Sequence, residues 1–426
     1  MIRAACAAIL AAVVLLAGCS TRDRLNPLDP KNAKTQGGLI GFNAIAADNI
    51  VELRWSALTL EGVLGYRVQR WTPGGTPQYL GVADYHPGAS AGEDSTAAND
   101  STYVYRLIAH LATGDSAVSP PDTATPGVRS IFVLEAGPPA FSRLSPDARD
   151  LLFQRAGKES YVDMDVDRSS GLVWLSSEGS GVVLRKTPDG ATVGAVIEVG
   201  APGDLSVSSN RGVGWVVSLS GANVLLFGPD IDNPAPQRSI NGVGHPRVVE
   251  AGTTDPFVWI GNEEGTVFRF RAVDLVETYE WAIGDGTIRA IALDETAGGA
   301  WVATRTGDSG NLYYLDPADS SATLVRTNLL NPADLGVDPA TGDLWVSERG
   351  APNAGAGRLS LITHAGTTLA SVTGIEPYGI DVDPLNGTCW VSELRANRLL
   401  DISRSGVTLR SSPGLQIPYA VRVAIP

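Results

Sequence analysis

VDPATGDLWVSE (residues 337–348) and VDPLNGTCWVSE (residues 382–393) are two copies of one unit, and their tryptophans are the last of six: Trp174, Trp215, Trp259, Trp301, Trp345 and Trp390. The intervals are 41, 44, 42, 44 and 45 residues. A proline stands thirteen residues before the tryptophan at Pro202, Pro246, Pro332 and Pro377. An aspartate stands seven before it at Asp167, Asp294, Asp338 and Asp383, and a glycine three before it at Gly171, Gly212, Gly298, Gly342 and Gly387. Segments such as Ile380-Asp381-Val382-Asp383 and Leu344-Trp345-Val346-Ser347 alternate with the period of two of half-buried strands. Between them, Asp-Pro or Asp-x-x-x-Gly supplies a tight turn.

A strand–turn–strand unit returning at this spacing is the signature of the four-stranded blade of a β-propeller. The tryptophan is large and flat enough to fill the space between one blade and the next. Its replacement by alanine is expected to cost about 3–5 kcal/mol. Phe132 lies 42 residues before Trp174 and begins the series one blade earlier. At the other end, Pro418-Tyr419-Ala420-Val421-Arg422-Val423 matches Pro377-Tyr378-Gly379-Ile380-Asp381-Val382. This predicts that strand 418–426 completes the blade begun at Phe132, so that 127–426 forms seven blades with no exposed sheet edge at the junction. Six blades with a loose N-terminal segment is the alternative.

The chain opens differently. Arg3 is followed by the apolar run Ala4 to Ala17, ending Leu16-Ala17-Gly18-Cys19. The run is short for a membrane span, and 1–18 reads as a targeting segment. Its end resembles a bacterial lipobox, which implies cleavage after Gly18 and lipid attachment to Cys19; an ordinary secretory signal or a short membrane helix is the alternative. Several acyl chains anchor stably where one does not. Ser20, in place of an aspartate, favours the outer membrane, facing the periplasm or the surface. Residues 19–38, with Asn26-Pro27-Leu28-Asp29-Pro30, read as a polar tether. Residues 39–126 carry strand patterns at Val51–Trp55, Gly65–Arg70, Tyr79–Val82 and Ser101–Ala109. With Trp55, Tyr66 and Tyr103-x-Tyr105-x-Leu107 in that order, this stretch resembles a fibronectin type III sandwich. Ser119-Pro120-Pro121 to Gly127 is the linker. The expected fold class is all-β, an immunoglobulin-like sandwich followed by a β-propeller.

Composition narrows the function. The formal net charge is −14, and loss of Arg3 with the leader takes it to −15. Such a charge excludes nucleic acid held through its phosphates and leaves a cation, a protein or a carbohydrate as ligand. Of the three cysteines, Cys6 leaves with the leader, Cys19 takes the lipid, and Cys389 beside Trp390 reads as a small core residue. No zinc spacing, phosphate loop or Ser-His-Asp arrangement occurs.

The repeats from 129 to 426 resemble the NHL and streptogramin-lyase-like group, most closely at Gly342–Glu348 and Gly387–Glu393. That group's lyases use a histidine, a glutamate and a metal. His245 and His364 lie in no matching repeat, and His245 has no evident acid or base partner in sequence. Three residues after each aromatic stand Glu135, Ser177, Ser218, Asn262, Thr304, Glu348 and Glu393, all polar. Glu348, Glu393 and Glu135 belong to consecutive blades, and Asp334, Asp163 and Asp204 are expected near the same rim. Converging carboxylates suit calcium, magnesium or manganese; neutralisation by Arg349, Arg395 and Arg398 is the plainer reading. Asp163, Asp165 and Asp167 share one strand face. The sequence therefore points to a lipid-anchored envelope protein that binds or scaffolds through a propeller, with no catalytic residue assigned. A metal-dependent lactonase or lyase acting in the funnel is the competing class.

Overall fold

A computed structural model describes residues 28–29, 32, 37–81, 84–157, 160–208, 210–253, 256–351, 357–412 and 414–425. The leader, Cys19 and most of the tether lie outside the described residues. Two compact units divide the chain, Met1–Gly127 and Val128–Pro426. No helix among the described residues is long and apolar enough to cross a membrane.

The first unit is built of two antiparallel sheets. One holds Asn43–Ala47, Ile50–Arg54 and Ala91–Asp94; the other holds Gln78–Tyr79, Val63–Trp71, Tyr103–Leu111 and Ser116–Val118, with Asp122–Ala124 also paired to Tyr103–Leu111. Their alternating inward residues, among them Val51, Leu53, Trp55, Tyr66, Val68, Tyr105 and Leu107, form one buried core. Buried hydroxyls need partners, and Tyr105 donates to Asp94 at 2.9 Å while Tyr66 accepts from the Leu58 amide at 2.6 Å. The third strand expected from sequence, Tyr79–Val82, pairs with Val63–Trp71 through Gln78 and Tyr79, and the Leu80 amide donates to the Val68 carbonyl at 2.8 Å; Val82 lies outside the described residues.

The second unit consists of seven four-stranded antiparallel sheets. Six are consecutive in sequence, with innermost strands Asp163–Asp167 (sheet II), Pro202–Ser208 (III), Pro246–Ala251 (IV), Thr287–Asp294 (V), Pro332–Val337 (VI) and Pro377–Val382 (VII). Sheet I draws three strands from Ser130 to Ala156 and its innermost strand, Pro418–Ala424, from the C-terminal end. There Val421 pairs with Val133, and Arg422 with Phe132. The innermost strands contact one another in an unbroken round, I to VII and back to I.

Each of the six repeat tryptophans is at most 2% exposed. Trp174 packs with Val207, Val216 and Phe227 of sheet III, and Trp345 with Ile380, Val382 and Val391 of sheet VII. A side chain this large needs a gap opposite it. A Cβ on Gly214 would lie 2.6 Å from the Trp174 ring, so only glycine leaves room there. Trp345 also donates its indole N–H to the Gly387 carbonyl at 3.2 Å, joining neighbouring repeats at two of their fixed positions. Cys389 is fully buried in the same cluster, and that burial pushes its thiol far above the usual range.

Candidate functional site

An innermost strand has a sheet neighbour on one side only, so half its amide groups face the channel or the next sheet without a ladder partner. Acidic side chains from the preceding sheet fill that role. Asp163 accepts the Leu205 amide at 3.0 Å and Asp165 the Val207 amide at 2.7 Å. Asp204 accepts the Val249 amide at 2.8 Å, Asp334 the Ile380 amide at 2.9 Å, and Asp381 the Val423 amide at 2.6 Å. Ser206 plays the same part toward Ala251 at 3.0 Å. These are clamps between successive sheets. They explain why carboxylates recur along the channel although like charges repel.

Arg422, on the closing strand, is their counter-ion. Its guanidinium lies 3.8 Å from Asp163 and 3.7 Å from Asp165, and it feels Asp381 and Asp334 as well. These carboxylates lift its pKa against the opposing effect of burial. Burial raises the carboxyl pKa values of Asp165, Asp204, Glu250, Asp334 and Asp381, while Arg422 pulls each of them down in part. Asp204 is pushed up further by neighbouring Asp163. Glu250 accepts no hydrogen bond from the described residues and is raised well above its ordinary value, by burial first and then by Asp165.

The channel opens into a cavity on either side of Arg422. One, of about 380 Å³, is lined by residues toward the strand ends, including Arg168, Glu295, Pro339 and Pro384. The other, of about 660 Å³, lies at the end where the strands begin with proline. Arg422, Glu250, Asp334 and Ile291 border both. The larger cavity owes its wall to a recurrent irregularity. In sheets I and III to VII the pairing of the innermost strand skips residues just after its start: Tyr419, Gly203 with Asp204, Arg247, Arg289, Ala333, and Tyr378 with Gly379. A bulge of this kind turns a side chain out of the ladder, and every skipped residue lines the cavity. In the best-conserved repeat copies the serine two positions after the tryptophan holds the bulge. Ser347 accepts the Asp334 amide at 2.9 Å, and Ser392 the Gly379 amide at 3.0 Å. Arg289 reaches past the small Ala333 to donate to the Tyr378 hydroxyl at 3.2 Å. Arg305 donates to the Gly307 carbonyl at 2.8 Å. Among the described residues neither arginine has a carboxylate ion-pair partner.

The glutamates expected at the rim are placed otherwise. Glu135, Glu348 and Glu393 are at most 5% exposed, and none lines either cavity. Glu135 accepts from Ser142, from Gln154 at 2.9 Å and from the Gln416 amide at 2.6 Å. Glu348 accepts the Leu330 amide at 2.9 Å and is paired with Arg358 at 2.5 Å. Glu393 pairs with Arg398 at 2.6 Å. Arg349 and Arg395 both turn to Glu376, at 2.9 Å each, rather than to the glutamates beside them in sequence. The other members of the series behave alike. Ser177, Ser218 and Asn262 donate to the carbonyls of Ser160, Gly200 and Val243. Except at Glu393, whose partner Arg398 lies on the adjacent strand, the polar residue three after the aromatic latches the loop entering its own sheet, and no glutamate turns to another. Among the described residues no group of three or more His, Cys, Asp or Glu side chains is placed to hold a metal ion.

Asp163 and Asp204 are neighbours and Asp334 shares the cavity with them, in the channel rather than at the rim. Asp167 leaves the face of Asp163 and Asp165; it accepts from Ser169 and Ser170 at 2.7 and 2.6 Å and caps its turn. His245, which in sequence had no evident partner, is paired with Glu264, which raises its pKa first through their hydrogen bond. His364 packs edge-on against Trp301 and Tyr314. What sequence reading passed over is the residue after the repeat proline. It varies between copies (Gly203, Arg247, Ala333, Tyr378, Tyr419) while its neighbours stay uniform, and that contrast was the available signal.

No family model and no curated protein matches the chain. Among solved structures, the chain is similar to a functionally unknown protein from Desulfotomaculum acetoxidans, with a TM-score of 0.55 and 16% identity over 70% of this chain and 99% of that one. It is also similar to a chain of a mitotic checkpoint complex, with a TM-score of 0.51 and 12% identity over 68% of this chain and 81% of that one. At these identities the likeness is one of fold: the neighbours are β-propellers, and this chain is an all-β protein with a β-propeller.

Proposed function

We propose that this is a lipid-anchored cell-envelope protein in which a fibronectin type III-like domain carries a seven-bladed propeller, and that the propeller binds a ligand at the mouth of its channel without transforming it. The observation that carries the reading is Arg422. It stands across the channel between the two cavities, and the carboxylates around it are engaged as clamps. Beside it lies the larger cavity, whose wall includes the side chains turned inward by the bulges. The Leu-Ala-Gly-Cys sequence at 16–19 supports the anchor, the outer membrane being the favoured destination, and the acidic charge supports a partner other than nucleic acid.

The competing enzyme reading has one foothold, the His245–Glu264 pair at the same end of the propeller. Elemental analysis of the soluble protein starting at residue 20, with thermal shifts in calcium, magnesium and manganese, separates the two. The binding reading expects no stoichiometric metal and no shift. One metal per chain, lost in a His245→Ala variant, would replace it with the metal-dependent lactonase or lyase.

A further inference from the structure

We infer that the larger cavity is a site for a small zwitterion of the peptide kind, with a free carboxylate at one end and a free ammonium at the other; this rests on the binding reading above. The seven sheets set the geometry. Arg289 and Arg305 enter the cavity from sheet V, and Glu178 and Asp163 enter it from sheet II. In a ring of seven, sheet II faces the junction of sheets V and VI, so the two groups stand opposite each other. The other charged groups of the lining are engaged: Asp163 has Arg422 as its counter-ion, Arg247 is paired with Glu263, and Asp204 and Asp334 hold backbone amides, which leaves Glu178 as the acid open to a ligand.

Arg289 feels the charge of Asp334 but is not ion-paired with it, so the basic side is available for a ligand. Arg289 and Arg305 are only partly buried, and the hydrogen bonds they make are to a neutral hydroxyl and a neutral carbonyl. Two guanidinium groups on adjoining strands are suited to a carboxylate, which can accept paired N–H bonds. Arg289 sits on its bulge only because the ladder skips it, so the fold gives up a regular pairing at that residue. On the acidic side, Glu178 is exposed at the loop after its strand, with no ion pair among the described residues. Tyr378, whose ring faces the guanidinium groups of Arg289 and Arg349, walls the space between. A ligand with a single charge would leave one side unanswered, whereas a zwitterion meets both.

Isothermal titration calorimetry of the soluble protein with tetraglycine tests this, beside N-acetyl-tetraglycine, tetraglycine amide and digalacturonate. One tetraglycine per chain is expected, with either blocked peptide weakened about tenfold to a hundredfold, the loss of one charged hydrogen-bonding group. Arg289→Ala and Glu178→Gln should each weaken tetraglycine by a similar factor, while Glu295→Gln at the opposite mouth leaves it unchanged. Circular dichroism of each variant separates lost binding from lost fold. Absence of tetraglycine binding, equal binding of the blocked forms, or tighter binding of digalacturonate would each overturn the zwitterion site. Those results leave the binding reading standing, whereas stoichiometric metal uptake by the same sample would overturn that reading itself.

Discussion

Asp381 offers the sharpest test of the clamps, because it grips the strand that closes the ring of sheets. Its two oxygens accept separate amides, Val423 at 2.6 Å on the closing strand and Val382 at 3.0 Å on its own. Hydrogen bonds to a charged group are worth about 1.5–3 kcal/mol each, and a buried donor left without an acceptor costs about 1–3 kcal/mol. Against this stands the unfavourable burial of the carboxylate itself, which its raised pKa reports. The net loss for Asp381→Ala should then be about 2–3 kcal/mol. For a domain of this size that is a melting temperature lower by about 4–10 °C. Asp381→Asn keeps one acceptor and relieves the buried charge, so it should fall between parent and alanine. Urea unfolding followed by tryptophan fluorescence reads the difference directly, since the indoles report on packing between sheets. If the alanine variant unfolds within about 0.5 kcal/mol of the parent, the spread expected for an ordinary surface substitution, these carboxylates are not clamps.

Other expectations follow from the same charges. Asp165, Asp204, Glu250, Asp334 and Asp381 have raised folded-state pKa values, so the folded protein holds protons more tightly than the unfolded chain. Stability should therefore fall as pH rises from the ordinary carboxylate value, about 4, through the raised ones; a melting temperature higher at pH 8 than at pH 5.5 would contradict this. Glu250→Gln, which removes a buried charge without breaking a hydrogen bond from the described residues, should raise the melting temperature at pH 8 and flatten that dependence. Arg422→Met should cost about 1–3 kcal/mol at neutral pH, between the values for exposed and buried ion pairs because its charges are partly exposed, and less at pH 5, where some of its carboxylates are protonated; a loss independent of pH would make its role one of packing. Cys19→Ser should abolish fatty-acid labelling, and unchanged labelling would remove the proposed anchor.

The β-propeller was legible in the sequence because one physical demand, filling the gap between sheets, falls on one residue per repeat. Trp174 to Trp390 answer it with the same side chain, so the spacing announces itself. The pairing of Pro418–Ala424 with Ser130–Ala136 was legible for a similar reason, since Pro418-Tyr419 repeats Pro377-Tyr378 in both residue type and order. The site was legible only in part. Polar residues three after each aromatic looked like a rim because all seven are hydrophilic, and all but Glu393 are hydrophilic to latch the loop entering their own sheet. Position in a repeat tells which residues are equivalent, but not whether a side chain points along its sheet or across the channel. That choice is made by the bulge after the proline, which rests on small local details such as the Ser347 hydroxyl.

This difference has a physical consequence for how the propeller can vary. Clamps, latches and tryptophans each satisfy a requirement set by the neighbouring sheet, so changing one leaves a cavity or an unpaired amide behind. The first bulged residue of each sheet, unlike Asp204 and Gly379 beside it, has been released from the ladder and holds no neighbouring amide. Gly203, Arg247, Arg289, Ala333, Tyr378 and Tyr419 span no side chain at all, a methyl group, two phenols and two cations within one molecule. The frame around them keeps its tryptophans buried throughout. A fold that separates its supporting residues from its channel-facing ones can change what it binds without changing how it stands. The two cations and two phenols among six otherwise unconstrained positions are therefore where the chemistry of this chain's ligand is best sought.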